Sequence, residues 1–564
     1  MLTREQALRI LTGQDAQFEI VDAQVLGYRL PVYKNAVANL REVLIASRLH
    51  GDREFLVYEQ ERLTFAEHFN QVARLATLLL TDGVHQGDRV AIGMRNYPEW
   101  VVAFWACQAI GAVAVTLNAW WTTEELAYAF NDSSSVAALI DAERWQRIHA
   151  LDLPVLEHIY ITRPDGAPLG RAKSLATALA ALPGQCELPI ASIAPDDDAT
   201  MLYTSGTTGF PKGAVGTHRN HVTNITNSLL AGALAQEIAG LTVKGVPVAA
   251  PTAPAPQAVS LQTFPFFHIG GLSGLYLSTA LGTKLVLMYR WDAATAAELI
   301  EREGVNSLAG VPTVVRQLLE SAAKHGRSLA SLVSIASGGA PVPPDLINRI
   351  GNQFASRVMP GNGYGLTETT SAVVTNGGQD YFAHPDSVGR PVPVAAVRVV
   401  DDNGVDVAEG AVGELWVSGP NVVRGYWNKP EATAEAFTNG WFHTGDLGYR
   451  SSEGFYYVVD RKKDVVIRGG ENVYCAEVEA VLFTHPSVQD VAIIGLPSVM
   501  LGEEVAAVVQ LRHGETVGDA DLQNHVAIHL ARFKVPTKFF YLDEALPRTA
   551  TGKVLKRDLK LRFG

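Results

Sequence analysis

Residues 204–213 read TSGTTGFPKG, a spacing of glycines, hydroxyls and one lysine that suits the wrapping of a polyphosphate. Glycines such as Gly206 let the backbone turn its N–H groups inward. Thr204, Ser205, Thr207 and Thr208 add hydroxyl donors, and Lys212 adds a cation. A P-loop would place Ser or Thr after its lysine, whereas Lys212 is followed by Gly213. Taken alone, the stretch reads equally well as a Gly/Thr-rich surface turn. Cys107, Cys186 and Cys475 lie far apart without metal or redox spacing and read as buried or incidental thiols.

The elements that must position such a loop show in the surrounding texture. At 564 residues the chain exceeds one ordinary core, so two or more domains are expected. With 47% apolar and 18% charged residues it has a globular composition. A net charge of −12 argues against a nucleic-acid partner. From about residue 64 to 118, helical periods alternate with short β runs, which predicts βαβ units and a parallel sheet covered by helices. The rhythm returns at 283–319 and 332–364. The run ATMLY puts a strand just before the glycine-rich loop. Between residues 388 and 426, short β runs with Gly and Pro turns predict a small antiparallel β-barrel or sheet. Beyond Asp460 a compact α+β pattern follows, which places a domain boundary at Lys463. The Pro/Ala-rich stretch 241–262 cannot be regular structure throughout and either covers a pocket or is a surface insert.

One run, WVVAFWACQAIGAVAVTL at 100–117, approaches the length of a membrane span. Pro98 fits a helix first turn and Gly111 divides the run, so a buried helix followed by a buried strand is expected, with no transmembrane segment. The charged start of the chain is unlike a signal peptide, RFG is not a peroxisomal address, and few cysteines fit a reducing compartment. A cytoplasmic location is the expectation.

The stretch YTSGTTGFPKG resembles the signature loop of the adenylate-forming enzymes, which include acyl- and aryl-CoA synthetases, peptide-synthetase adenylation domains and firefly-type luciferases. Four further motifs follow in that family's order: GNGYGLTE (361–368), WFHTGDLGY (441–449), DRKKDVVIRGGENVYCAEVE (460–479) and PRTATGKVLKR (547–557). The resemblance covers roughly residues 40–560. It implies an α/β fold with a large N-terminal domain, 1–462, of layered parallel sheets plus a small β-barrel. A small mobile α+β C-terminal domain, 463–564, would follow, hinged at Lys463.

The same resemblance implies roles residue by residue. Thr204, Ser205, Gly206, Thr207, Thr208 and Lys212 would hold the ATP phosphates. Tyr364 would face the adenine, where a flat ring offers stacking surface. Asn362, with Gly363 and Gly365 beside it, would meet the base through the backbone, and Gly339, Ala340 and Pro341 would line its other face. Thr367 would bond the α-phosphate, and Glu368 would hold Mg²⁺, a task suited to one carboxylate plus nucleotide phosphates. Asp446 would accept both ribose hydroxyls, with Arg461 approaching the same sugar. Lys553 would stabilise charge as a carboxylate displaces pyrophosphate from the α-phosphorus. Rotation at Lys463 would then bring Gly470 to the pantetheine tunnel of coenzyme A. Arg532, Lys534 and Lys538 could meet coenzyme A phosphates or be wet surface. Lys556, Arg557 and Lys560 read as a solvated basic face.

PFFHIGGL, residues 265–272, matches the family motif that borders the acyl pocket. Amino-acid-activating members carry aspartate where this chain has His268, so an α-amino acid is not expected. Gly270, Gly271, Gly338 and Gly339 would leave room for a sizeable apolar acid. A medium- or long-chain fatty acid is the first expectation, and a branched, aryl-alkanoic or steroid-derived acid the second. No carrier-protein domain follows Lys553, which favours a stand-alone ligase using ATP, Mg²⁺ and coenzyme A. A fatty acyl-AMP ligase serving a separate carrier protein, or a luciferase-like oxygenase, shares the nucleotide motifs. A P-loop ATPase or kinase would instead yield ADP. A monomer and a homodimer are both compatible with the sequence.

Overall fold

The computed structural model describes residues 2–166, 169–204, 211–247, 256–340, 342–354, 357–549 and 552–564. Helix Pro98–Ile110 is the centre of the largest core cluster. Pro98 starts it, and Gly111 ends it in the left-handed region at φ 72°. The strand Val113–Thr116 follows at once, as the division of the apolar run at Gly111 predicts. Trp100 stacks on Phe104 and Phe266 at ring separations of 5.8 and 5.0 Å. Each fully buried large side chain of this kind contributes about 1.5–3 kcal/mol of transfer free energy. No helix among the described residues is long and apolar enough to cross a membrane.

Two large sheets flank this core. The first runs Lys212–Thr217, Asp198–Thr204, Val113–Thr116, Arg89–Gly93, Ala137–Asp141, His158–Thr162 and Lys173–Ser174. All neighbours are parallel except the first pair, in which Thr204 lies opposite Lys212. The second sheet has nine strands, parallel from Met359–Leu366 across to Glu54–Tyr58 and antiparallel at both edges. A third, antiparallel sheet joins Ala396–Val400, Gly413–Ser418, Phe437–Thr438, Trp441–Arg450 and Tyr456–Arg461. Of the barrel or sheet that residues 388–426 allowed, its hydrogen-bonded order is that of a sheet.

The C-terminal segment builds its own five-stranded sheet. Strands Val488–Ser498 and Gly502–Leu511 form its long hairpin; on the free side of Gly502–Leu511, Lys538–Tyr541 joins in parallel, and the short pair Val466–Arg468 and Glu471–Val473 joins through Arg468 opposite Gly502. Helices Cys475–Phe483, Asp519–His529 and Lys556–Phe563 cover it. Large and small units together match the expected α/β fold. Within the Pro/Ala-rich stretch, Thr242–Val243 and Val246–Pro247 pair in a hairpin whose turn is held by the carboxylate of Glu237. Residues 248–255 lie outside the described ones.

Candidate active site

Four groups of side chains converge on one cleft. The first is built by the strand Met359–Leu366, which carries Asn362, Gly363, Tyr364 and Gly365 and runs into a single 3-10 turn, Thr367–Thr369. A Cβ on Gly365 would fall 1.9 Å from the carbonyl oxygen of Ser371, so the returning strand demands glycine there. The reversal places Thr370 and Ser371 at φ 49° and 75°, uncommon for residues with side chains. Thr369 Oγ1 accepts from the backbone N–H of Leu366 at 2.8 Å and locks the turn. Glu368 is thereby fixed with only 8% of its surface exposed. Its Oε1 accepts a hydrogen bond from the hydroxyl of Tyr426 at 2.8 Å.

The second group comes from the antiparallel pairing of Trp441–Arg450 with Tyr456–Arg461, which sets Asp446 opposite Arg461. The buried Asp446 carboxylate receives Arg461 Nε on Oδ1 at 2.8 Å and the Tyr364 hydroxyl on Oδ2, also at 2.8 Å. Each oxygen keeps a second lone pair, which leaves the carboxylate able to accept a pair of sugar hydroxyls. Burial and the charge of Asp446 push the Tyr364 phenol well above its ordinary range, so it remains a donor.

The third group is Lys553, carried on a tight C-terminal turn. Gly552 N–H donates to Thr549 O at 2.9 Å, and Thr549 N–H donates to Lys553 O at 2.8 Å. Gly552 has φ 84°, and a Cβ there would lie 3.0 Å from Val311 Cγ2 and 3.7 Å from Thr313 Oγ1. The turn thus lands directly on the large domain. Arg548 braces it through Asp490 at 2.5 Å. Lys553 is exposed at the end of this turn. Desolvation and then Arg461 depress its ammonium to about 8, against the opposing pull of Asp446 and Glu368. Lys553 therefore senses both the Asp446–Arg461 pair and the Glu368 carboxylate.

His268 heads the fourth group. It caps helix Ile269–Leu281, its Nδ1 accepting from Gly270 N–H at 3.1 Å, which leaves the ring proton on Nε2. Its ring lies parallel to Phe264 at 6.2 Å. Burial, followed by the charge of Lys553, pushes its pKa down to about 3, so the imidazole is neutral. Asn96 fixes the loop beneath, donating to Phe264 O at 3.0 Å and accepting from Phe266 N–H at 2.9 Å.

Several expectations need correction. Gly338 does not open an acyl pocket, since a Cβ there would meet Gly363 O at 2.9 Å and the space belongs to the neighbouring strand. Gly271 likewise lets its helix pack on Pro265 O, 2.1 Å from a would-be Cβ. Gly339, at φ 76°, has space toward Phe264 and Val311, and Ala340 follows it. Lys556 is no solvated base, because it is mostly buried and pairs with Glu479 at 2.7 Å. Lys534 and Lys538 pair with Glu477 and Glu504, each at 2.6 Å. Lys463 is exposed in the turn after Arg461, and Gly470 is exposed in the turn between two short strands, with open space where a Cβ would be. Thr204 and Lys212 face each other across the antiparallel strand pair. Ser205, Gly206, Thr207, Thr208 and Pro341 lie outside the described residues.

Tyr426 is the site residue that the motifs missed. No signature marked it; its placement depends on an isolated antiparallel bridge to Ala214 and on Trp427 N–H donating to Gly213 O at 2.8 Å. The Lys212 ammonium sits 4.8 Å from the centre of its ring.

A fixed carboxylate pair of this kind, two lysines and an aromatic platform define a nucleotide cleft of the adenylating class. Among the described residues no group of three or more His, Cys, Asp or Glu could hold a metal. A lone Glu368 fits a magnesium ion whose other ligands are phosphates and water. The chain matches the family model for AMP-binding enzymes over residues 45–427 and that for the AMP-binding enzyme C-terminal domain over 477–553. A feruloyl-CoA synthase from an Amycolatopsis species is 35% identical over 503 residues, 89% of this chain and 94% of that protein. A 2-succinylbenzoate–CoA ligase from Bacillus subtilis is 34% identical over 519 residues, 91% of this chain and 96% of its own. The solved o-succinylbenzoate coenzyme A synthetase from Bacillus subtilis, in complex with ATP and magnesium ion, aligns with a TM-score of 0.76 at 32% identity, covering 93% of this chain and 99% of that one. This chain belongs to the AMP-binding enzyme family and is an AMP-forming acid–thiol ligase, with ATP and coenzyme A as co-substrates and magnesium as cofactor.

Proposed function

We propose that this ligase activates an aromatic or aryl-alkanoic acid and passes the acyl group to coenzyme A. The observation that carries the reading is the neutral His268, its ring parallel to Phe264 at 6.2 Å and within electrostatic reach of Lys553. A neutral aromatic wall favours a flat apolar acyl group and offers no partner for an α-amine. The acids named for the two relatives, ferulate and 2-succinylbenzoate, are both aromatic. That moves the fatty acid from first place to second.

In this reading Tyr364 stacks on the adenine, and Asp446 with Arg461 holds the ribose. Lys212 and the hydroxyl-rich loop take the β- and γ-phosphates, and Thr367 takes the α-phosphate. The bound magnesium ion supplies charge neutralisation at the phosphates, with Glu368 as its protein ligand. The acid's carboxylate oxygen bonds to the α-phosphorus as the bond to the bridging oxygen breaks and pyrophosphate leaves. Lys553 donates to the incoming carboxylate and the phosphate oxygen, where charge concentrates. In the second step the thiol sulfur attacks the acyl carbon, its proton passes to solvent, and AMP departs. Rotation about Lys463 would withdraw Lys553 and bring Gly470 toward the thiol's path.

A panel of ferulate, cinnamate, 2-succinylbenzoate, octanoate and palmitate, assayed with ATP, Mg²⁺ and coenzyme A, tests the substrate class. Thioester and AMP formation is expected with the aromatic acids. Turnover confined to octanoate or palmitate would contradict the reading.

A further inference from the structure

The Tyr426 side chain lies against two charged groups, Glu368 and Lys212. Its hydroxyl donates to Glu368 Oε1 at 2.8 Å, and the Lys212 ammonium lies 4.8 Å from its ring centre. The surrounding segment is pinned at both ends. Val215 N–H donates to Gly425 O at 3.0 Å, while Val423 N–H donates to Glu368 O at 2.9 Å. Asn421 Nδ2 donates to Thr369 O at 2.8 Å, and Thr433 Oγ1 accepts from Tyr426 N–H at 2.9 Å. A Cβ on Gly425 would collide with Thr433 Cγ2 at 2.5 Å, so the segment has no slack on that side.

We infer that Tyr426 is a positioning residue that orients Glu368 toward the metal and Lys212 toward the phosphates while preventing the two from pairing with each other. A neutral hydroxyl fixes the carboxylate rotamer yet leaves Oε2, and the second lone pair of Oε1, for a cation. An Arg or Lys partner would fix it too, but would compete with that cation. A cation over an aromatic face is held without a carboxylate partner and still has N–H donors for phosphate oxygens. A direct Lys212–Glu368 pair would instead spend the charge of both.

The inference rests on Glu368 being the metal carboxylate, and the experiment separates the two. Binding of Mn²⁺·ATP, followed by the electron paramagnetic resonance of Mn²⁺, is measured with binding of AMP alone by calorimetry. Tyr426→Phe keeps the ring and removes one charge-assisted hydrogen bond, so Mn²⁺·ATP affinity should fall about 10-fold or more. AMP affinity, which needs neither group, should stay within about 2-fold, and the thermal unfolding midpoint should hold. Tyr426→Leu also removes the seat of Lys212 and should weaken Mn²⁺·ATP further. An unchanged Mn²⁺·ATP affinity in Tyr426→Phe, or an equal loss of AMP affinity, overturns the inference. Glu368→Gln binding Mn²⁺·ATP as wild type would remove the metal assignment itself, and the inference with it.

Discussion

Tyr364 donates its phenolic hydrogen to Oδ2 of Asp446 at 2.8 Å, so the residues proposed as adenine platform and ribose acceptor are one hydrogen-bonded unit. Tyr364→Phe keeps the ring but frees one carboxylate oxygen to turn. Loss of a bond to a charged acceptor corresponds to roughly 1.5–3 kcal/mol. The KM for ATP should therefore rise about tenfold or more, with kcat changed less, because the lost contact acts in the ground state as well as in the transition state. Steady-state kinetics with ATP varied check this, and a fall in kcat at unchanged KM would speak against it.

In its proposed role, Lys553 should give the adenylation step its pH dependence. As proposed, the group acts as an ammonium, and its pKa is depressed to about 8. It is charged below that value and loses its proton above it. The kcat/KM for adenylation should accordingly be flat on the acid side of the transition and fall about tenfold per pH unit beyond it. A profile of acid-dependent pyrophosphate release from pH 6.5 to 10 reads the limb directly; the range spans about 1.5 to 2 units on either side of the transition. Lys553→Arg, slower overall, should move the limb out of that range, since a guanidinium stays charged.

Much of this was legible in the sequence, and the failures have a common cause. Gly111 and Pro98 mark the helix-to-strand division because their effects are local to the backbone. Asp446, Arg461, Tyr364 and Lys553 sit in motifs whose order alone suggests that they meet. Tyr426 was invisible because its role arises from pairing with Ala214, far away in the chain. Lys556 looks like one of a run of bases, and only the fold shows Glu479 beside it. Gly338 and Gly271 are equally consistent with an open pocket and with backbone contact, and a sequence cannot distinguish the two.

The second half-reaction should depend on the turn at Lys463. Asp460, just before it, accepts from the backbone N–H groups of Cys475 and, at 3.4 Å, Ala476, at the start of the first C-terminal helix. Burial raises this carboxyl to about 6. Rotation about Lys463 must break these bonds and change the backbone angles of the turn. Lys463→Pro, which fixes φ near −65°, should slow thioester formation by about 10-fold or more while leaving adenylation largely intact. Single-turnover assays of each half-reaction distinguish this from a general loss, and unchanged thioester turnover would refute rotation at that residue.

Lys553→Ala, assayed in the two half-reactions separately, bears most directly on the assignment of one cleft to two chemical steps. Acyl-adenylate formation from acid and ATP should drop by about 10²–10³-fold or more. Thioester formation from synthetic acyl adenylate and coenzyme A should stay close to wild type. Equal damage to both half-reactions, or an undiminished first step, would contradict the placement of Lys553 at the reacting phosphorus.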